Sequence, residues 1–182
     1  MIKPIYLFGS GVLREQAAEI DINDREAVTS LVTDLKDTLA KADGCGLAAP
    51  QIGVPLRVLI VTGAGLEETY PYLKGFWRTM INPVVVEESR EKCTFSEGCL
   101  SVPGVYADVV RPSAITIKYY DEDLRLVEER LDKFACRMVQ HELDHLDGTL
   151  FVDKVAPIRK KMIAKKLQNI SRGKVSTSYK TK

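Results

Sequence analysis

Both histidines of this chain lie one helical turn apart in a short motif that also carries a glutamate. The motif occupies residues 140–145 and has the sequence Gln-His-Glu-Leu-Asp-His. Residues four apart on an α-helix share a face, so His141 and His145 are placed to bind one divalent metal together. Glu142 lies to the side of that face, where its carboxylate reaches a water on the metal rather than the metal itself. This arrangement predicts a metal-dependent hydrolase.

A catalytic site of this kind needs a third protein ligand, and the usual downstream ligands are missing. Catalytic zinc-type sites have three protein ligands and one open position. No glutamate follows Glu142, and Phe151 stands where one class of metallopeptidases has a third histidine. The third ligand therefore comes from upstream or from an aspartate. Cys99 is the best upstream candidate, because a thiolate binds borderline-soft divalent ions strongly and Gly98 permits close backbone approach.

Each of these residues could also be present for a reason unrelated to catalysis or metal binding. A His-Glu-x-x-His run can arise by chance on an amphipathic helix, and an isolated cysteine is more often a small buried apolar residue. The apolar neighbours Met138, Leu143 and Leu146 place the histidines on a partly buried element, and the chain has no other histidine. These observations, with the need for a third ligand, favour the metal site.

The composition is that of a globular protein. The 182 residues are 45% hydrophobic and 28% charged, which is enough apolar surface for one well-buried core. No apolar stretch reaches the roughly 18 residues that cross a bilayer, and the N-terminus lacks the features of a secretory signal or transit peptide. We therefore expect a cytoplasmic protein without membrane association, whose four cysteines are ligands or thiols rather than disulfides.

The pattern of predicted elements indicates an α+β fold. Caps and helical periodicity predict three helices, at residues 23 or 24 to 43, 131 to 147 and 157 to 170. Apolar runs predict four strands, at residues 57–62, 80–86, 114–120 and 124–130. Pro83 interrupts the second strand, which is therefore expected to be an edge strand or bulged. Strands precede helices without regular alternation, so we expect largely antiparallel sheets with an N-terminal and a C-terminal helix.

The C-terminal segment is strongly basic. Residues 159–182 carry nine Lys/Arg and no acidic residue, although the whole chain has a net charge of only +1. We expect a single catalytic domain over residues 1–170 and a polar basic tail over residues 171–182. One interpretation is a docked helix with a solvated basic end. The functional interpretation is sequence-independent attraction to ribosomal RNA, and no specific DNA binding is expected.

Three segments together resemble the signature motifs of the peptide deformylase family. They are Gly44–Gln51 (Gly-Cys-Gly-Leu-Ala-Ala-Pro-Gln), Glu97–Ser101 (Glu-Gly-Cys-Leu-Ser) and Gln140–Gly148 (Gln-His-Glu-Leu-Asp-His-Leu-Asp-Gly), in the family's order and spacing. The resemblance spans about residues 4–165. It implies sheets that enclose the central His-Glu-x-x-His helix. It also implies an enzyme that removes the formyl group from the N-terminal formyl-methionine of nascent polypeptides, releasing formate.

The resemblance further implies one divalent metal and a set of residues around it. Cys99, His141 and His145 would be the protein ligands. The metal is natively iron(II) in many bacterial members and is replaceable by zinc, nickel or cobalt. Metal-bound hydroxide would attack the formyl carbon, with Glu142 as general base and then general acid. We interpret Asp144 as a supporting carboxylate paired with Arg111.

Substrate contacts are expected along the first and second motifs. Gln51 and the backbone N–H of Leu100 would stabilise the oxyanion, and Gly46 would hydrogen-bond the substrate backbone. Further substrate-binding positions, including apolar walls for a methionine side chain, are Cys45, Gly98, Phe134 and Met138. Cys45 departs from the bulky aliphatic residue usual in the family. The segment 9–14 lacks the Pro-Asp pair common there.

Two other functions remain open from the sequence. A metallopeptidase would use the same metal and base, although it lacks its usual downstream ligand. A metal-stabilised peptide-binding module would keep the metal and have no activity to lose.

Overall fold

An antiparallel sheet and a separate hairpin surround the helix that carries the histidines. The computed structural model describes residues 1–182. Its seven strands, β1 to β7, are Gly46–Ala48, Val58–Thr62, Trp77–Glu88, Lys92–Cys99, Val102–Pro112, Ala114–Tyr120 and Leu126–Asp132. Its three α-helices, α1 to α3, are Arg25–Ala42, Lys133–Leu146 and Pro157–Ser171. The five-stranded sheet has the order β1-β2-β3-β6-β7, and β4 pairs only with β5. All pairs are antiparallel, which confirms the α+β prediction.

Helix α1 forms where its cap and apolar stripe predict it. The side chain of Asp24 accepts a hydrogen bond from the backbone N–H of Ala27, at 3.0 Å, and so satisfies one free donor of the first turn. Leu31, Leu35 and other residues at helical spacing are buried against the sheet. The helix ends at Asp43, which adopts the left-handed conformation with φ of 56°. The chain thus turns directly into the Gly44–Gln51 motif.

Strand β3 is bulged and lies at the centre of the sheet. Its register shifts between Ile81 and Val84, around Pro83, so the residue without an N–H falls where ladder pairing is interrupted. Asn82 has φ of 50° there, and its side chain exchanges two 2.9 Å hydrogen bonds with the backbone of Ile20. Of the two alternatives expected for this strand, the bulge is correct and the edge position is wrong.

The β4–β5 hairpin was not among the predicted strands. The buried residues of β5 alternate along the strand and include Val105, Ala107 and Val109. The next buried residue is the cation Arg111. A charge on the buried face breaks the apolar alternation that identifies a strand in a sequence. The hairpin matters for the site because β4 ends at Cys99.

Helix α2 is the centre of the fold. Eleven of its 14 residues are buried, and it contacts β1, β2, β6 and β7. Gly148 follows it with φ of 67°, as expected for a glycine just past a helix end. Beyond α3 the chain returns to the N-terminal segment, where Ile5 exchanges backbone hydrogen bonds with Lys180 and Lys182 at 2.9 Å. None of the helices has the length and apolar character of a membrane span.

Candidate metal centre

The three predicted metal ligands come together between β4 and α2. The Sγ atom of Cys99 lies 3.2 Å from Nε2 of His145. The ligand atoms of Cys99, His141 and His145 all lie within 4.8 Å of one another. Two ligands of a tetrahedral zinc-type ion are separated by about 3.5 Å, given metal–ligand bonds of about 2.0–2.3 Å. The sulfur and the two imidazoles therefore fit one divalent ion, and no aspartate joins the group.

Glu97 orients His141, the first of the two histidines predicted to bind the metal. Its Oε2 lies 2.9 Å from Nδ1 of His141, so a proton on Nδ1 leaves Nε2 free to bind a metal. Arg111 donates to both oxygens of Glu97, at 2.7 and 2.8 Å, and Arg137 donates to Oε1 at 2.7 Å. Burial alone would raise the pKa of Glu97, but the hydrogen bonds from Arg111 and His141 outweigh it and hold the pKa well below its usual range. The carboxylate of Glu97 is therefore charged at neutral pH.

The predicted pair of Asp144 and Arg111 completes this ion network. Nη1 of Arg111 donates to Oδ2 of Asp144 at 2.6 Å, and Lys154 approaches the other oxygen at 2.8 Å. Asp144 faces these cations and so is not available as a ligand. Arg111 is held by two carboxylates, which keeps the guanidinium fixed behind His141.

Glu142 is buried beside the predicted ligands and does not belong to their cluster. One of its oxygens lies directly against Gly46, where any side chain would overlap it, and Oε2 has no hydrogen-bond partner within the protein. Burial raises the pKa of Glu142 to about 7. A carboxyl group with a pKa near the working pH is suited both to accept and to donate a proton.

Gln51 presents its amide N–H group to the ligand sulfur. The backbone N–H of Ala48 donates to Oε1 of Gln51 at 2.8 Å, which fixes which way the amide faces. Nε2 then lies 3.2 Å from the hydroxyl of Ser101 and 3.6 Å from Sγ of Cys99. Gln51 thus places a neutral N–H donor beside the sulfur of Cys99.

One cavity of about 670 Å³ joins these groups to solvent. Every residue predicted as a metal ligand, catalytic group or substrate contact lines this cavity except His145, which is 1% exposed. The predicted residues along the wall are Cys45, Gly46, Gln51, Gly98, Cys99, Leu100, Phe134, Met138, His141 and Glu142. Two of the predicted metal ligands, Cys99 and His141, therefore face an open cavity.

The wall near Phe134 is apolar. Phe134 stacks on Tyr70 with ring centroids 4.5 Å apart, and Met138 is buried next to it in α2. Cys45 lies on the same cavity, and burial together with the charge of Glu142 raises its pKa to about 11, so it stays a neutral thiol. Cys45, Phe134 and Met138 thus form an apolar part of the cavity wall.

Gly98 is covered by an aromatic ring. The ring of Tyr106 lies so close to Gly98 that a side chain there would overlap it. The glycine thus allows β5 to close over the end of β4, next to the ligand Cys99. Whether Gly98 also contacts substrate stays a prediction.

Sequence reasoning missed three residues of the site: Glu97 as the partner of His141, Arg137 and Tyr179. Arg137 had a local signal, because it lies four residues before His141 and therefore on the same helix face. Tyr179 had none. It lines the cavity with Ser176, Thr177 and Ser178 only because the C-terminal segment folds back.

Comparisons with known proteins identify the family of this chain. Residues 2–161 match the family model described as polypeptide deformylase. The peptide deformylase of Christiangramia forsetii is 41% identical over 99% of this chain and 95% of its own length. That of Fusobacterium nucleatum is 40% identical over 94% of each chain.

Solved structures give the same result for the fold. The crystal structure of a peptide deformylase from Legionella pneumophila has a TM-score of 0.82 and 34% identity, over 96% of this chain and 98% of that one. A peptide deformylase from Plasmodium falciparum has a TM-score of 0.83, also at 34% identity, over 93% and 95% of the two chains. By family model, full-length relatives and fold, this chain belongs to the polypeptide deformylase family.

Proposed function

We propose that the Cys99, His141 and His145 cluster, with Glu142 beside it, performs in this chain the reaction of its family. That reaction is the metal-dependent removal of the formyl group from the N-terminal formyl-methionine of nascent polypeptides, with release of formate. Family membership supports the activity. The observation that carries the assignment of residues is the convergence of the three ligand atoms within 4.8 Å at the base of an open cavity.

The three ligands would hold one divalent ion, and Glu97 would keep the ring of His141 in the ligating tautomer. When bound, such an ion supplies a nucleophilic water at neutral pH and polarises the scissile carbonyl. One thiolate with two imidazoles suits iron(II), zinc, nickel and cobalt. We propose iron(II) as the native metal, which elemental analysis of protein purified without air would test.

Glu142 would transfer the proton that passes from the attacking water to the departing amine. Its unpartnered Oε2 accepts a proton as the formyl carbon is attacked and returns it to the departing amine. The pKa of about 7 supports both steps, since neither protonation state is strongly disfavoured at neutral pH. The absence of a side chain at Gly46 leaves the carboxylate the space to do this.

Gln51 and the backbone N–H of Leu100 would stabilise the negative charge that develops on the formyl oxygen. The fixed orientation of the Gln51 amide supports this role, because a preorganised donor needs no rearrangement during the reaction. The Leu100 N–H follows the ligand Cys99 directly in the chain, so it lies at the same end of the cavity.

The peptide would bind along β1. This strand is at the edge of the five-stranded sheet, so its outer side is free to pair with an extended peptide through Gly46. The first side chain of the substrate would enter between Phe134, Met138 and Cys45, which line the cavity. Gly98 would contact substrate from the opposite hairpin.

A formylated peptide tests the activity and separates it from the alternatives. We expect the metal-loaded protein to release formate from a formyl-Met-Ala-Ser peptide and to leave the peptide backbone intact. Cleavage of the backbone would instead support a metallopeptidase. Binding of the peptide without any product would support a peptide-binding module.

We also propose a cytoplasmic location and an electrostatic association with the ribosome, because nascent formylated chains arise there. Helix α3 supports the second proposal, since Lys160, Lys161, Lys165 and Lys166 are exposed on it. Replacing Lys161 and Lys165 by Glu should weaken co-sedimentation with ribosomes in a salt-dependent way. Lys118→Glu, on β6, is the control, and equal co-sedimentation of all variants would contradict the association.

A further inference from the structure

The C-terminal segment forms part of the active-site wall. After α3, residues 174–182 run back to the N-terminal segment, where Ile5 and Thr181 form a parallel bridge. Leu7 adds a backbone hydrogen bond to Lys182, at 3.0 Å. This anchoring holds residues 176–179 along the cavity that also exposes Cys99 and Glu142.

One side chain of this segment makes a specific contact with the site. The hydroxyl of Tyr179 donates a hydrogen bond of 2.7 Å to the backbone carbonyl of Leu100. The ring packs with Leu100 against the apolar cluster beneath α1. Burial raises the pKa of Tyr179 to about 12, so the hydroxyl keeps its proton and acts as the donor.

The accepting carbonyl belongs to the peptide group that reaches the ligand sulfur. A peptide group is planar, so fixing the carbonyl of Leu100 also fixes the N–H of Ser101. That N–H points to Sγ of Cys99, at 3.4 Å. Hydrogen bonds in series polarise one another. Tyr179 is therefore connected to the sulfur of Cys99 through a single peptide group.

We infer that Tyr179 is a positioning residue: it fixes the Leu100–Ser101 peptide group and thereby the hydrogen bond that this group donates to the sulfur of Cys99. The inference rests on the proposed function, which makes that sulfur a metal ligand. Hydrogen bonds to a ligating thiolate reduce the charge it donates and so tune the metal. Through this contact the last residues of the chain set the electronic character of the site.

The test compares two tyrosine variants of the full-length protein loaded with cobalt(II). Tyr179→Phe removes the hydroxyl and keeps the ring. Tyr120→Phe is the matched control, because Tyr120 packs against the same apolar cluster, does not line the cavity and makes no hydrogen bond through its hydroxyl. Thermal unfolding of both variants reports any general loss of packing.

We expect the sulfur-to-cobalt charge-transfer absorption to shift in Tyr179→Phe and to match the wild type in Tyr120→Phe. We also expect kcat for formate release to fall about 3- to 10-fold in Tyr179→Phe, the size of one lost hydrogen bond, with KM little changed. A shifted absorption with an unchanged Tm would show that the hydroxyl acts on the sulfur rather than on folding.

The inference is overturned if Tyr179→Phe keeps the wild-type absorption and kcat, or if both variants shift the absorption equally. Tyr179 would then only hold the segment in place. The proposed function fails separately, if the wild type binds cobalt and releases no formate. The absorption still decides the role of Tyr179 in that case. If the wild type shows no sulfur-to-cobalt absorption, both the role of Tyr179 and the proposed function are overturned.

Discussion

Oε2 of Glu97 lies 2.9 Å from Nδ1 of His141, and the same carboxylate accepts hydrogen bonds from Arg111 and Arg137. Glu97, Arg111 and Arg137 are all at least 95% buried. Two cations around one anion would leave an excess positive charge in the interior. The second carboxylate on Arg111, that of Asp144, offsets it. His141, a predicted metal ligand, is thus held by a largely buried network of alternating charges.

Removing the charge of Glu97 should weaken both metal binding and folding. In Glu97→Gln the ring of His141 loses its charged partner, and we expect metal affinity to fall about 10- to 100-fold. Arg137 also loses its carboxylate partner and Arg111 loses one of two, which should cost about 3–5 kcal/mol in the free energy of unfolding. Metal competition assays and urea unfolding measure the two effects.

Glu129→Gln is the control for Glu97→Gln, since Glu129 pairs with Arg78 away from the cavity. This variant should lose some stability and no metal affinity. Equal metal affinity in both variants and the wild type would contradict the orienting role of Glu97.

Glu142→Gln should separate proton transfer from metal binding. The amide has the size of the carboxylate but cannot accept the proton, so we expect formate release to fall about 10²- to 10⁴-fold. Metal content should stay at the wild-type level, because Glu142 is outside the ligand cluster. Glu128→Gln, on the exposed edge strand β7, is the control. A variant that loses its metal would show that Glu142 is a ligand after all.

A single methyl group at residue 46 should impair turnover without touching a ligand. In Gly46→Ala the added carbon would overlap an oxygen of Glu142 and displace the carboxylate. We expect kcat to fall at least tenfold at full metal occupancy, since small displacements of a catalytic group are costly. Gly11→Ala is the control, because its new carbon would meet no atom within 4 Å beyond the adjoining backbone. Equal activity of the two variants would remove the steric argument.

Gln51→Leu tests the oxyanion donor. Leucine fills a similar volume and provides no N–H group, so we expect kcat to fall about 10²- to 10³-fold. Gln140→Leu is the control, because Gln140 is also a buried amide but donates to the carbonyl of Pro112. Steady-state assays at full metal occupancy compare the two. A small effect on kcat in Gln51→Leu would assign the oxyanion to the Leu100 N–H alone.

The pH dependence of stability should reveal an ion pair outside the candidate metal centre. Glu122 accepts hydrogen bonds from Lys36, at 2.7 Å, and from Thr79. Burial alone would raise the pKa of Glu122, but these hydrogen bonds outweigh it and lower the pKa below its usual value. A folded-state pKa below the unfolded one, about 4.3 for glutamate, stabilises the fold above that pH. This contribution is lost as the pH falls through the folded-state pKa.

Glu122→Gln should therefore have a lower Tm than the wild type at pH 7, and the two Tm values should converge below about pH 4. Thermal unfolding between pH 3 and pH 8 measures the difference. Glu128→Gln provides the comparison, because Glu128 forms an exposed pair with Lys118. A Tm difference for Glu122→Gln that persists unchanged at low pH would contradict the charge-based explanation.

The sequence alone determined the parts of the site that depend on local geometry. His141, Glu142 and His145 are placed by helical periodicity, so their relative positions follow from their spacing in the chain. The start of α1 at Asp24 and the glycine after α2 are likewise local signals of capping. Cys99 was identified because the histidine pair required another ligand and the three motifs together resembled a known family.

Only the tertiary structure decided which distant residues support the ligands. Glu97 and His141 are 44 residues apart in the chain, and Tyr179 and Leu100 are 79 apart. Such long-range contacts produce no periodic pattern in the sequence, because they depend on how the hairpin and the C-terminal segment pack. The hairpin itself was missed because its buried face carries Arg111, whose burial is favourable only once the carboxylates of Glu97 and Asp144 are beside it.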